Sequence, residues 1–383
     1  MSDARQIEAD IYERLSKVID PELGRSVTDL GMIAAIEAAP ASSDAGTYDV
    51  TVHVELTVPG CPLSETITSQ INGAVSSYPG AQLLPHIEVG SMSRDKLADL
   101  VADLKAERKQ NPFSKPGVKT RIFAIASGKG GVGKSSVTAN LAATFAALGF
   151  DTAAIDADIY GFSLPRLFGV HTQPTNLNGM LMPVTAWGVK LISIGMFAGA
   201  DRAILWRGPR LQRSLEQFLS DVWWGEPDVL LLDLAPGTGD MAISVAQALP
   251  NAELVVVTTP QPSASDIAVR SGLVALQVPM KVRGVVENMS YYEHKGEKLE
   301  IFGAGGGQRV SEQLTQALGY DVPLMAQLPL EPEVRETGEA GRCWTPTALC
   351  VRMALGRPSE GWLNGCWQCE PAQPHTFVGG VGV

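Results

Sequence analysis

Ile7, Ile11, Leu15 and Val18 recur at the spacing of one helix face, which predicts an amphipathic helix over residues 3–18. Further on, YDVTVHVELT alternates, and Val50, Val52, Val54 and Leu56 fall on one face of a strand. Leu63, Ile67 and Ile71 then return to helical spacing. Pro62 suits the first turn of that helix, because its missing N–H would be unpaired there anyway. AQLLPHIEVG reads as an edge strand. Residues 1–92 therefore predict a small α+β domain, long enough to fold alone. Residues 93–117 read as a helix capped by Ser93, running into a linker punctuated by Pro112, Pro116 and Gly117.

From residue 121 the pattern changes. RIFAIA is an apolar strand, a run of glycines follows, and residues 134–147 read as a helix. PDVLLLDLAPGTGD carries apolar residues from Val229 to Leu232 and again at Leu234, which suits a parallel strand covered on both faces. AELVVVTTPQPSASDIAVRSG supplies another strand and helix, and VRGVVENMS a further strand ending at Asn288.

At 383 residues the chain is long enough for two or three domains. A net charge of −11 argues against a general nucleic-acid binder and against an anionic membrane surface, both of which call for clustered Lys and Arg. The charged start, MSDARQIEADIYERL, has no apolar signal region, and no stretch reaches the roughly 18 apolar residues of a membrane span. Five cysteines, an odd and sparse set, point to reduced thiols in a cytoplasmic protein.

The most specific chemistry lies at Gly128–Ser135, which matches G-x-x-x-x-G-K-[ST] between a strand and a helix. Gly128, Gly130, Gly131, Val132 and Gly133 would turn backbone N–H groups toward phosphate oxygens, at a helix N-terminus that adds positive potential. Lys134 would reach the β- and γ-phosphates, Ser135 would bind Mg²⁺, and Ser136 would complete the cradle. Asp233, at the C-terminal end of a buried strand, belongs at the ligand crevice and is a second Mg²⁺ candidate. Asp156 and Asp158 stand two apart in DADIY, so on an extended segment they face one way; a capping turn is the alternative for Asp158. Pro236 biases Ala235 toward extended backbone. Cys61, at a strand-to-helix corner, reads either as a small half-buried apolar residue or as a thiol activated by the helix terminus.

The stretches GKGGVGKSS, DADIYGFSLP, APGTGD, VENMS and IFGAGGG, in that order, resemble the Mrp-type iron–sulfur cluster carrier ATPases of the ParA/MinD-like deviant P-loop superfamily. DPELGRSVTDLGMI and LTVPGCP resemble the small iron–sulfur assembly domain that often precedes them. The resemblance spans residues 1–342 and implies a doubly wound, mostly parallel α/β ATPase domain over 118–342, and a homodimer. It further implies that ATP and Mg²⁺ are cofactors and that clusters pass to apoproteins or are exchanged with assembly proteins. By the same resemblance Lys129 crosses the dimer interface to the partner's nucleotide, Asp156 joins the Mg²⁺ shell and Asp158 orients the attacking water. Gly237 contacts the γ-phosphate, Asn288 reads the adenine edge and Cys61 handles the cluster. The segment DVPLMAQLPLEPEV corresponds to the last strand and a closure over the base.

One departure stands out. Cluster-carrying members usually have C-x-x-C between NMS and the glycine-rich loop, whereas this chain has YYEHKGEKLE there. The other C-x-x-C, Cys366 and Cys369, is either a relocated iron–sulfur ligand pair or an accident of residues 343–383, an atypical tail that is divergent or read from another frame. Three functions therefore stay open, in this order: an ATP-hydrolysing iron–sulfur carrier; a ParA/MinD-like ATPase switch acting on a protein partner without a cluster; and a positioning ATPase on DNA or membrane, ranked last because no basic patch or basic amphipathic C-terminal helix is visible.

Overall fold

Ile7, Ile11 and Leu15 turn inward together because they share one face of helix α1 (Ser2–Leu15), the first element of the computed structural model. The structure describes residues 2–341, apart from 22, 42–45, 58–63, 107–110, 116, 159–160, 198–207, 238–239 and 279. Strand β1 (Ile33–Pro40) pairs antiparallel with β2 (Thr47–Leu56), where the predicted alternation buries Val50, Val52, Val54 and Leu56. Helix α2 (Ser64–Ser76) buries Ile67 and Ile71, then crosses to β3 (Gln82–Ser91), an edge strand parallel to β2. Helix α3 (Arg94–Ala106) opens with the predicted cap, Ser93 Oγ accepting from Lys96 N at 3.2 Å.

The stretch expected as a helical linker, residues 93–117, opens with α3, whose Val101 and Leu104 are buried in one apolar cluster with Ile11, Val52 and Ile71 of the small domain and Leu177 and Met182 of the next. The chain joins the next domain by Phe113, which is buried in that domain's core, and by Asn111, whose Nδ2 donates to Ala248 O at 2.9 Å.

The second domain begins with β4 (Arg121–Ser127), α4 (Lys134–Ala147), β5 (Thr152–Ala157) and the short α5 (Leu164–Leu167). A β6–β7 hairpin (Thr175–Leu177, Met180–Met182) follows, then β8 (Val184–Ala186), β9 (Val189–Ser193) and α6 (Gly208–Ser220). After these come β10 (Val229–Leu234), α7 (Asp240–Ala248), β11 (Glu253–Thr258), α8 (Pro262–Gly272) and β12 (Lys281–Glu287). A β13–β14 hairpin (Tyr292–His294, Glu297–Leu299), α9 (Gly306–Leu318), β15 (Leu324–Gln327) and α10 (Pro332–Glu339) complete the described chain.

The main sheet has the order β15-β12-β11-β4-β10-β5-β9-β8, parallel throughout except for β8 against β9. Both faces are covered. Ile122, Ala124, Leu230, Leu232, Leu254 and Val256 face one apolar core, and Phe123, Ile125, Leu231, Val255 and Val257 the other. Period-two alternation into two dry layers is why these strands read as unbroken apolar runs. Leu177, Met180, Met182 and Trp223 leave this domain and join the core of the small one, so the two share a packed seam.

Candidate nucleotide site

β4 lies between β11 and β10 at the centre of the sheet, and the glycine loop leaves its C-terminal end. Open parallel sheets bind ligands at this kind of crevice. The loop ends at Gly133, the N-cap of α4, with φ 82°. A side chain there would be strained and would collide with the Asn288 amide, so glycine is required. α4 starts at Lys134, the residue the pattern predicts.

Three side chains from the first turns of α4 converge on the fully buried Asp233 at the end of β10. Lys134 Nζ donates to Asp233 Oδ1 at 2.6 Å, and Ser135 Oγ donates to Oδ2 at 2.6 Å. Thr138 Oγ1 lies 2.8 Å from Oδ1 and 3.0 Å from Lys134 O. Sequence reading missed Thr138, although its position four residues after Lys134 places both on one helix face.

Strand pairing brings a second carboxylate alongside. Asp156 on β5 is in register with Asp233 on β10 and with Ser193 on β9. Burial, then the Asp233 charge, push the Asp156 carboxyl up to about 7. Its Oδ2 accepts from Ser163 N at 3.0 Å, Leu164 N at 3.1 Å and Ser193 Oγ at 3.2 Å, so Asp156 also ties down the start of α5. β5 ends at Ala157; just past it the Asp158 N–H donates to Asp156 Oδ1 at 3.2 Å, and Asp158 Oδ1 accepts from Gly161 N at 2.9 Å, as in the capping-turn alternative. Ser135 and Asp233, with Asp156 beside them, form an all-oxygen set of the hard kind that Mg²⁺ takes.

Other predicted residues are present with different partners. The Gly237 N–H is not free: it donates to Ser127 O at 2.8 Å, because the loop after β10 lies against the end of β4. Ser271 Oγ donates to Gly237 O at 3.1 Å and ties the same loop to α8. Asn288 follows the end of β12 by one residue, and its Nδ2 donates to Val132 O at 2.9 Å, bracing the phosphate loop. Lys129 Nζ rests 3.2 Å from Ser263 Oγ and 3.4 Å from Gln261 Oε1. Gly128, Gly130 and Gly131 lie in the loop, and Ser136 sits in the first turn of α4.

The β13–β14 hairpin carries Tyr292 stacked on His294, with ring centres 6.1 Å apart, and no cysteine. Among the described residues no three His, Cys, Asp or Glu side chains gather to hold a metal ion. Cys61, Cys366 and Cys369 lie outside the described residues.

A glycine loop on the central parallel strand, with its lysine and serine against a strand-end aspartate, defines the chain as a P-loop NTPase. Residues 118–350 match the family described as the NUBPL iron-transfer P-loop NTPase, and residues 8–82 match that of the iron–sulfur cluster assembly protein. The chain belongs to the iron–sulfur cluster carrier family of P-loop NTPases. The first match continues past Arg342, further than the motifs carried the resemblance. An iron–sulfur cluster carrier protein of Mycobacterium tuberculosis is 47% identical over 340 residues, covering 88% of this chain and 87% of its own length. One of Bacillus subtilis is 35% identical over 326 residues, covering 85% and 88%. A nucleotide-binding protein from Archaeoglobus fulgidus, solved in complex with ADP, is 33% identical with a TM-score of 0.50, covering 58% of this chain and 87% of that one. Among the described residues no helix is long and apolar enough to cross a membrane.

Proposed function

We propose that this chain binds and hydrolyses ATP as a cytoplasmic homodimer and carries iron–sulfur clusters to apoproteins. The observation that carries the reading is the convergence of Lys134, Ser135 and Thr138 on Asp233 at the mouth of the phosphate loop. Lys134 would hold phosphate oxygens. Ser135 and Asp233, with Asp156 behind them, would hold Mg²⁺, which would supply charge neutralisation to the phosphates. Lys129, whose two contacts in the single chain are long, is the charge offered across the dimer interface to the partner's nucleotide. Asp158 would orient the attacking water, and the Gly237 N–H, now on Ser127 O, would serve the γ-phosphate. Asn288 braces the loop and borders the base. The curated relatives' name supports a cluster as cargo, with Cys61 and the Cys366–Cys369 pair as its candidate ligands.

A second reading is an ATPase switch that engages a protein partner without a cluster. The cysteine-free hairpin favours it. Anaerobic reconstitution separates the two. Iron and sulfide are counted on wild type, Cys61→Ala and Cys366→Ala/Cys369→Ala, alongside ATP turnover. Cluster retained by wild type and lost in one variant supports the carrier; turnover with no retained iron or sulfide leaves the switch.

A further inference from the structure

Glu287 is the last residue of β12, only 1% exposed, and no step above uses it. Its carboxylate is nevertheless a hub. Oε2 accepts from Gly307 N at 2.5 Å and Oε1 from Gln327 Nε2 at 2.8 Å, while Ser290 Oγ lies 2.8 Å from Oε1 and 2.9 Å from Glu287 O. Gly307 is the second residue of α9, where a helix N–H has no partner of its own. A Cβ on Gly307 would lie 2.7 Å from Glu287 Cβ, so the helix start is pressed directly onto the strand end.

These donors come from three places that matter to the site. Ser290 and Gly307 bracket the excursion that contains the β13–β14 hairpin, so one carboxylate holds both its exit and its return. Gln327 ends β15, and Leu328 N next to it donates to Glu287 O at 2.7 Å, which fixes the start of the segment leading to α10. Asn288, next in the chain, reaches the other way to Val132 O. Met289, with φ 56°, makes the sharp turn between the residue facing the phosphate loop and the one facing Glu287.

We infer that Glu287 is a positioning residue for nucleotide binding: it locks Asn288 against the phosphate loop and makes the hairpin base move with that loop. The role rests on the ATP-binding reading above. It acts through Asn288 and the backbone, without contact to the nucleotide. Losing the carboxylate therefore weakens ATP binding and loosens the hairpin while leaving the reacting groups in place.

The test compares full-length wild type with Glu287→Gln, which keeps the volume but turns one acceptor into a donor. Ser290→Ala and Gln327→Ala each remove one donor and carry the test should Glu287→Gln not fold. Steady-state ATP turnover and ATP titrations are read together with hydrogen exchange over residues 291–306. In Glu287→Gln the KM for ATP should rise about tenfold with kcat within about twofold, the size of one charge-assisted hydrogen bond. Ser290→Ala and Gln327→Ala should shift KM in the same sense by less. ATP should slow exchange over 291–306 in wild type and lose that effect in Glu287→Gln. Wild-type ATP binding with an unchanged KM in all three variants, or with kcat and exchange altered across the whole domain, would overturn the positioning role. A wild type that binds no ATP would overturn the nucleotide reading itself, and this role with it.

Discussion

Lys134 Nζ sits 2.6 Å from Asp233 Oδ1, and both side chains are almost wholly buried. The phosphate-loop lysine is thus held, by the carboxylate at the end of the neighbouring strand, in the place where charge is needed. Removing one member of a buried pair leaves the other uncompensated. Lys134→Ala should lower the stability of the nucleotide-free protein by about 3 kcal/mol and reduce ATP turnover by about 10²-fold or more. Thermal unfolding and a phosphate-release assay check the two effects. Wild-type turnover in this variant would remove the proposed nucleotide chemistry.

Lys129 should behave in the opposite way. Its contacts with Ser263 and Gln261 are long, so Lys129→Ala should change stability by less than about 0.5 kcal/mol. If Lys129 serves the partner's nucleotide, turnover should nonetheless fall steeply, and mixing with Lys134→Ala chains should restore part of it. Turnover across a titration of the two variants reads this directly.

Asp156 sets a pH dependence with a definite sign. Its folded pKa is raised to about 7 from an ordinary value near 3.8, so the folded state keeps a proton that the unfolded chain releases. Its contribution is fully present below about pH 4 and is lost as pH rises through about 7. Stability of the metal-free, nucleotide-free protein should therefore fall across that window, by at most about 1.4 kcal/mol per pH unit from this group. Asp156→Asn should flatten the slope in denaturant unfolding at pH 5, 6 and 7. A slope unchanged by the substitution would mean that the carboxyl is ionised throughout.

Leu104 tests how firmly α3 is packed. If α3 were a solvated connector, Leu104→Ala would be almost neutral. Buried in the cluster that joins Ile11 and Val52 to Leu177 and Met182, the same change should cost about 2–4 kcal/mol. Thermal unfolding checks the size of the loss.

Much of this was legible in the residues. The α4 helix begins at Lys134 because the glycine loop can only end there, and β10 reads as a buried strand because both its faces are dry. β1 was missed because IAAIEAAP has no clean alternation and all of it is exposed or half-buried. β6, β7 and β8 have three residues each, too few to show a period. The positions of Asp233, Asp156 and Lys134 follow from motif and strand register. The bonds from Gly237 to Ser127 and from Asn288 to Val132 do not, since they depend on which loops the strand order 11-4-10 sets side by side. Glu287 carries no motif spacing of its own, and only the folded chain shows three donors meeting on it.

The central claim joins the nucleotide site to a cluster. Its most direct test is cluster transfer from anaerobically reconstituted chain to an apoprotein acceptor, followed by the acceptor's recovered absorbance, with and without ATP, for wild type and Lys134→Ala. The account predicts that wild type retains iron and sulfide and transfers them in an ATP-dependent way that Lys134→Ala abolishes. A wild type that hydrolyses ATP yet retains no iron or sulfide, or one whose transfer is indifferent to both ATP and Lys134, would contradict it.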